Sequence, residues 1–412
     1  MKTNTDKIPP RNNTKTTTPT KNRGMSTTTS ILDTLQLVFQ AGGPGFCQFA
    51  INNACNANCG FCNFARDTFP KEKTKFVNLN EGLDSINILF REGIRYLVFT
   101  GGEPTLNPNL ISFVDHATTL GIKVMVVTNG GLLTPNKIEA LADAGLSSLI
   151  ISVDAAAQDI HEKNRGLPGV CNKIKEANQI LKNIGMYSTA SVTMSHLVDY
   201  DALPDFLTSL GFESVVFSYP LTSLDSNFLG YSDAGLVTHT NESLWQAYEK
   251  VKQLKKRFRV VNPTLSLEEM QRFVKNEEQR YSCLAGYRFF FLDWELNLWR
   301  CHFWHEPMCS IYEFDSSKLV RDNCTKCMIN CYRDSSLMQN IAVSMQDAYQ
   351  SIKKGNLLDT AKALTRKSNI DSLRAVVEEL PWIMRFSNLG LINHLKRNNN
   401  PVGTWYRTSL LD

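Results

Sequence analysis

The sequence predicts an α/β protein: a partial barrel of six βα units, a smaller cysteine-rich unit after it, and helices at the C-terminal end. Three observations carry this. Short, apolar, β-branched runs alternate with longer amphipathic stretches from residue 46 to residue 220. That rhythm stops after residue 220. Nine of the eleven cysteines fall in two groups, at 55–62 and 283–331. A doubly wound sheet is the alternative arrangement of the same units. In either, chemistry collects in the loops at the carboxyl ends of the strands.

The elements follow in order. Residues 1–30 are Thr, Asn, Lys and Pro, with almost nothing apolar beyond Met1, Ile8 and Met25. Such a segment cannot bury enough surface to offset its ordering entropy, so it reads as a disordered tail. A transit peptide is the functional alternative, and Met25 is an alternative start. Strands are expected at 46–52, 95–100, 123–129, 148–154, 187–194 and 214–220, and helices near 79–92, 107–120, 135–144, 170–184 and 201–210. Apolar strands separated by helices indicate a parallel sheet covered on both faces. The barrel is expected over 40–222, a charged helical connection over 223–282, the cysteine-rich unit over 283–335, and helices over 336–412.

Composition narrows the function classes. The 412 residues exceed what one core comfortably organises. The net charge is +4, but residues 1–30 alone hold six Lys/Arg against one Asp, so the remaining body is near neutral. A neutral body lacks the footprint of a nucleic-acid binder. No signal-peptide core precedes the cysteines, and no run of about 18 apolar residues would span a bilayer. A cytoplasmic chain with clustered cysteines binds metal more readily than it forms disulfides.

The stretch "NACNANCGFCNFARD" (53–67) places Cys55, Cys59 and Cys62 on one loop directly after the first strand. A structural zinc site wants four closed ligands. A [4Fe–4S] cluster wants one thiolate per iron, so three cysteines leave one iron open for a substrate. "TGGEP" follows the second strand, "TNGG" the third and "SVDA" the fourth.

Cys-x3-Cys-x2-Cys after the first strand, with Gly-Gly-Glu-Pro after the second, resembles the radical S-adenosylmethionine (SAM) superfamily, and the match covers residues 46–220. The resemblance implies that the open iron is chelated by the amine and carboxylate of S-adenosylmethionine. One electron then cleaves the sulfonium, and the 5′-deoxyadenosyl radical abstracts hydrogen from an unactivated C–H bond. It further implies that Gly101 and Gly102 let backbone groups approach the methionyl amine, that Glu103 accepts from that ammonium, and that Pro104 fixes the turn. Phe61 occupies the place of an aromatic beside the adenine, with simple packing as the alternative. Thr128, Asn129, Ser152 and Asp154 end strands on the same rim, as candidates for the ribose hydroxyls or the carboxylate. In "DIHEKNRG" (159–166), Arg165 is the candidate for holding the cosubstrate, against a solvated surface arginine.

The second group spans "CLAGYRFFFLDWELNLWRC" (283–301) and "CTKCMINC" (324–331). The first reads as a hairpin turning near Asp293–Asn297 between aromatic strands. A hairpin flanked by cysteines, with a Cys-x2-Cys downstream, resembles the twitch domain, the shortened relative of the SPASM auxiliary-cluster domain. That implies a second [4Fe–4S] cluster on Cys283, Cys301, Cys324 and Cys327, with Cys331 as the alternative to one of the four and Cys309 as the other cysteine nearby. A four-cysteine zinc knuckle is the competing reading. Cys47 and Cys171 read as buried rather than ligating. His302 and His305 are candidate proton relays, with structural or solvated roles as the alternative.

Two activities compete. One is an oxidoreductase acting on a small, apolar or planar molecule, with the auxiliary cluster as electron acceptor or substrate anchor. Aromatic residues at 287–304 and Trp382–Phe386 favour it. The other is a SPASM-type maturase of a peptide or protein; the flank before Cys55 suggests no fused leader-binding domain. The context "NNACNANCGFCNFARD" is also similar to radical SAM enzymes of green sulfur bacteria that oxidise the C-7 methyl of a bacteriochlorophyllide to formyl. The implied partners are a small-molecule, lipid-like or tetrapyrrole substrate and an electron donor such as a flavodoxin or ferredoxin.

Overall fold

The computed structural model describes residues 43–220 and 235–380. The tail at 1–30, the start at Met25 and the aromatic stretch Trp382–Phe386 lie outside the described residues.

Six βα units appear where the alternation places them. Strand β1 (Phe46–Ala50) leads to helix α1 (Leu79–Arg91) and β2 (Tyr96–Thr100), and α2 (Leu110–Thr119) leads to β3 (Lys123–Thr128). Helix α3 (Pro135–Asp143) precedes β4 (Ser148–Ser152), which two helices follow, α4 (Gln158–Arg165) and α5 (Val170–Asn183). Then come β5 (Ser188–Thr193), α6 (Leu203–Ser209) and β6 (Ser214–Ser218). Helix starts have local causes: Asn78 accepts from the Glu81 amide, and Thr134 accepts from the Lys137 amide behind Pro135 at the first turn.

Adjacent strands from β1 to β6 pair in parallel, so their carboxyl ends share one rim. The sheet also runs further than six strands. After α7 (Asn241–Leu254), a two-residue strand β7 (Arg259–Val260) joins β6, and α8 (Thr264–Val274) follows. On the other side β8 (Phe289–Leu292) pairs in parallel with β1, continued by antiparallel β9 (Asn297–Trp299) and β10 (Cys309–Ser310). The hairpin of the cysteine-rich region is therefore hydrogen-bonded into the same ten-stranded sheet. Helices α9 (Asn330–Lys353) and α10 (Leu357–Leu364) and a helical stretch at 367–380 complete the description.

One face of β1 buries Cys47 and Phe49, with Ile51 just after the strand, in the main core with Leu89, Phe99 and Phe113. Phe289 and Phe291 of β8 fall in two smaller buried clusters, with Cys301 and with Trp299 respectively. Of the aromatics at 287–304, Phe289, Phe290, Phe291 and Trp299 are buried and serve packing. Tyr287, Trp294, Phe303 and Trp304 are only half-buried. Cys171 is buried in the main core with Cys47. No helix of the described residues is long and apolar enough to cross a membrane.

Candidate functional site

The loop after β1 is held from three sides. Asn53 anchors its start, donating to the Lys73 carbonyl at 2.9 Å and accepting from the Lys75 amide at 2.7 Å. The loop after β2 docks on it through its backbone: the Gly102 amide donates to the Asn52 carbonyl at 3.0 Å, and the Glu103 amide to that of Ala54 at 2.7 Å. From the third side, the Asn58 amide donates to the Arg165 carbonyl at 2.7 Å and the Gly60 amide to Asn164 Oδ1 at 3.3 Å.

Cys59 shares one small buried cluster with Ala57, Phe61 and Val237, and the half-buried Cys55, Cys62, Leu167 and Leu236 pack against it. Burial pushes the Cys55 thiol up to about 11 and the Cys59 thiol up to about 12, and raises that of Cys62; the Arg165 charge opposes the rise at all three. Such thiols stay protonated until a metal displaces the proton. Among the described residues no three His, Cys, Asp or Glu side chains converge as ligands of one metal ion do. A cubane cluster puts each thiolate on its own iron, so its ligands stand further apart than those of a single ion. The all-sulfur donor set suits iron–sulfur ligation.

The glycines after β2 let two loops meet at backbone distance. A Cβ on Gly101 would lie 2.2 Å from the Asn52 carbonyl oxygen, and one on Gly102 would lie 2.1 Å from that of Ala54. Gly101 also has φ +144°, a conformation only glycine holds easily. Their smoothness lets the second loop lie against the cysteine loop. Glu103 is buried and already accepts four hydrogen bonds. Oε1 takes the Thr105 amide and hydroxyl and the Thr128 hydroxyl, and Oε2 takes the Asn129 amide. It locks the end of β3 to the loop after β2, while Pro104 opens a single 3-10 turn.

Asn129 reaches the cysteine loop, donating to Asn56 Oδ1 at 2.7 Å and lying 3.9 Å from Cys55 Sγ. Ser152 ends β4 half-buried beside Ser191. Asp154 and Arg165, read separately from the sequence, form one buried bidentate ion pair at 2.6 and 2.8 Å, and Asn164 adds a third bond to Asp154 at 2.8 Å. His161 Nδ1 accepts from the Asp154 amide at 3.1 Å, and burial holds its ring neutral, down to about 4. Arg165 is thus not a solvated surface residue.

In the second group, Cys283, Cys301, Cys327 and Cys331 pack around Leu284, Phe289 and Tyr332, and the Cys283 amide donates to the Cys324 carbonyl at 2.8 Å. Burial pushes the Cys327 and Cys331 thiols up to about 12, and Gln48 of β1 hydrogen-bonds Cys331. Cys309 stands apart in β10, opposite Leu298 and near Lys318. His302 is buried between the rings of Phe291 and Tyr332, 4.4 and 5.4 Å away, and burial lowers it to about 3. His305 is exposed.

Sequence reasoning missed His196 and His239, whose rings lie tilted with centroids 4.2 Å apart beyond the carboxyl end of β5. His196 donates its amide to the Leu236 carbonyl at 2.8 Å, and His239 Nε2 lies 2.9 Å from that of Met194. This clasp sets Leu236 and Val237 against the cysteine loop. The rule that singled out Thr128 and Asp154, a polar residue just after a strand, would have found His196 as well.

Residues 49–210 match the family described as Radical SAM superfamily. The chain is 26% identical over 160 residues to the AdoMet-dependent heme synthase of Methanosarcina barkeri, covering 39% of this chain and 45% of that protein. It is 26% identical over 157 residues to the PqqA peptide cyclase of Rhodopseudomonas palustris, covering 38% and 41%. The chain thus spans less than half the length of these curated relatives. The crystal structure of Streptococcus suis SuiB bound to precursor peptide SuiA is similar in fold, with TM-score 0.50 and 14% identity over 68% of this chain and 66% of that one.

Proposed function

The chain belongs to the radical SAM superfamily, and on that premise we propose that it is an oxidoreductase that abstracts hydrogen from an unactivated C–H bond of a substrate bound at the carboxyl rim of the sheet. One observation carries the reading: three cysteines gathered on one loop, docked through its backbone on a second loop whose glycines permit the contact. Cys55, Cys59 and Cys62 would hold a [4Fe–4S] cluster, which would supply the electron for reductive cleavage of S-adenosylmethionine. The protein's part is to hold and shield. Asn53, Gly102 and Glu103 fix the loop, Asn129 and Arg165 bring polar groups beside the thiols, and Phe61, Leu236 and Val237 keep water from them. Cys283, Cys301, Cys324 and Cys327, with Cys331 beside them, would hold a second cluster.

For the substrate, oxidation of the C-7 methyl of a bacteriochlorophyllide to formyl is the specific candidate. The likeness of residues 52–67 to such enzymes supports it, as does a relative named as a heme synthase. Peptide modification is the alternative, supported by a relative named as a peptide cyclase. Anaerobically reconstituted protein is expected to hold about eight irons, four of them lost when Cys55, Cys59 and Cys62 are all changed to Ala. With dithionite it should form 5′-deoxyadenosine. One or two zincs and no iron in anaerobically purified protein would end this reading. Comparing 5′-deoxyadenosine formation with a bacteriochlorophyllide and with peptides then decides between the substrates.

A further inference from the structure

Arg333 lies in the first turn of α9 and is fully buried, at 0% exposure. Its Nη2 donates to Gln279 Oε1 and to the Tyr281 carbonyl, both at 2.9 Å, and the guanidinium lies 4.4 Å over the Tyr281 ring. Nε and Nη1 have no hydrogen-bond partner among the described residues. The neighbouring carboxyl, Asp334, is spent elsewhere, on Ser266 and Asn262, and burial pushes it up to about 6. Both of its oxygens face those two side chains, and no ion pair joins it to Arg333 among the described residues. A buried cation with idle donors is costly unless something anionic faces it.

The surroundings show what that is. Ser336, one turn along α9, accepts from the Leu284 amide at 2.8 Å and lies 4.0 Å from Cys283 Sγ. The Tyr281 that Arg333 stacks on stands two residues before Cys283. Cys331, two residues before Arg333, packs in the same cluster as Cys283, Cys301 and Cys327. Arg300 also borders this group, but Asp322 matches its charge with two bonds at 2.8 Å. Arg333 has no such match.

We propose that Arg333 is the counter-ion of an anionic four-thiolate cluster at the second cysteine group and raises its reduction potential. The proposal rests on reading that group as an iron–sulfur site. A cluster held by four thiolates is anionic, and gaining an electron adds one negative charge, so a fixed, desolvated positive charge favours the reduced form. The site is thereby tuned to accept an electron.

The test uses the full chain with Cys55, Cys59 and Cys62 changed to Ala, so that any iron belongs to the second group. Its midpoint potential is measured by spectroscopically monitored redox titration, alone and with R333M, R333K or Q279E. R333M should shift the midpoint to more negative values, and R333K should restore most of the shift. Q279E, which places a carboxylate on the same guanidinium without removing it, should shift the midpoint in the direction of R333M. Unchanged midpoints in Q279E, or in an R333M chain that keeps its iron, would overturn the counter-ion role. A parent chain that binds zinc and shows no reducible signal would instead overturn the cluster reading, and this proposal with it.

Discussion

Asp154 and Arg165 show how a single pair reaches the cysteine loop. The carboxylate receives both arms of the guanidinium, and the Arg165 carbonyl in turn receives the Asn58 amide between two of the cysteines. Changing Asp154 to Asn strands a buried guanidinium and is expected to cost about 3 kcal/mol. The pH dependence has a definite sign. Burial alone would raise the Asp154 carboxyl, but Arg165, His161 and Asn164 outweigh it and hold it below the usual carboxylate range. A depressed folded value stabilises the protein above the unfolded value of about 4, and that stabilisation is lost as pH falls through the folded one. The gap in thermal midpoint between wild type and Asp154→Asn should therefore be constant above about pH 5 and shrink in stronger acid. A gap that is independent of pH down to the acid limit would show that the pair contributes no charge-dependent stability.

At the scale of the elements, the rim works because loops from successive strands interlock. The loop after β2 lies on the loop after β1 at backbone contact, and Glu103 ties it onward to the end of β3. Gly102→Val is consequently expected to disturb the cysteine loop itself, costing at least about 2 kcal/mol by overpacking. Iron bound at the first site should fall with stability, and S-adenosylmethionine binding should fall with the iron. Iron analysis beside thermal melting checks this. Full iron with weakened S-adenosylmethionine binding alone would instead support the role the sequence suggested, clearance for the cosubstrate.

For the whole molecule, one sheet carries both cysteine groups, because β8 adds to the free edge of β1. Gln48 of β1 contacts Cys331, and the loop that follows the same strand holds Cys55. The two groups are thus tied to one strand. Changing Cys324 and Cys327 to Ala should leave reductive cleavage of S-adenosylmethionine in place while turnover of the true substrate falls. Assaying 5′-deoxyadenosine with dithionite and no substrate, beside product formation, separates the two. A folded variant with wild-type turnover would remove the second group from the chemistry.

Periodicity alone determined the six strands, the helices between them other than Gln158–Arg165, and the loops that share the rim, since strands and amphipathic helices write different repeats. Spacing alone determined that Cys55, Cys59 and Cys62 lie on one loop. Tertiary structure decided the rest, through contacts between residues far apart in the chain. It paired Asp154 with Arg165, turned Glu103 inward, brought His196 to His239, set Cys309 aside from Cys331, and fused the aromatic hairpin to β1. It also left Arg333 buried without a matching carboxylate. None of these could be read from a local pattern, because long-range partners are selected by which surfaces the packed sheet brings together.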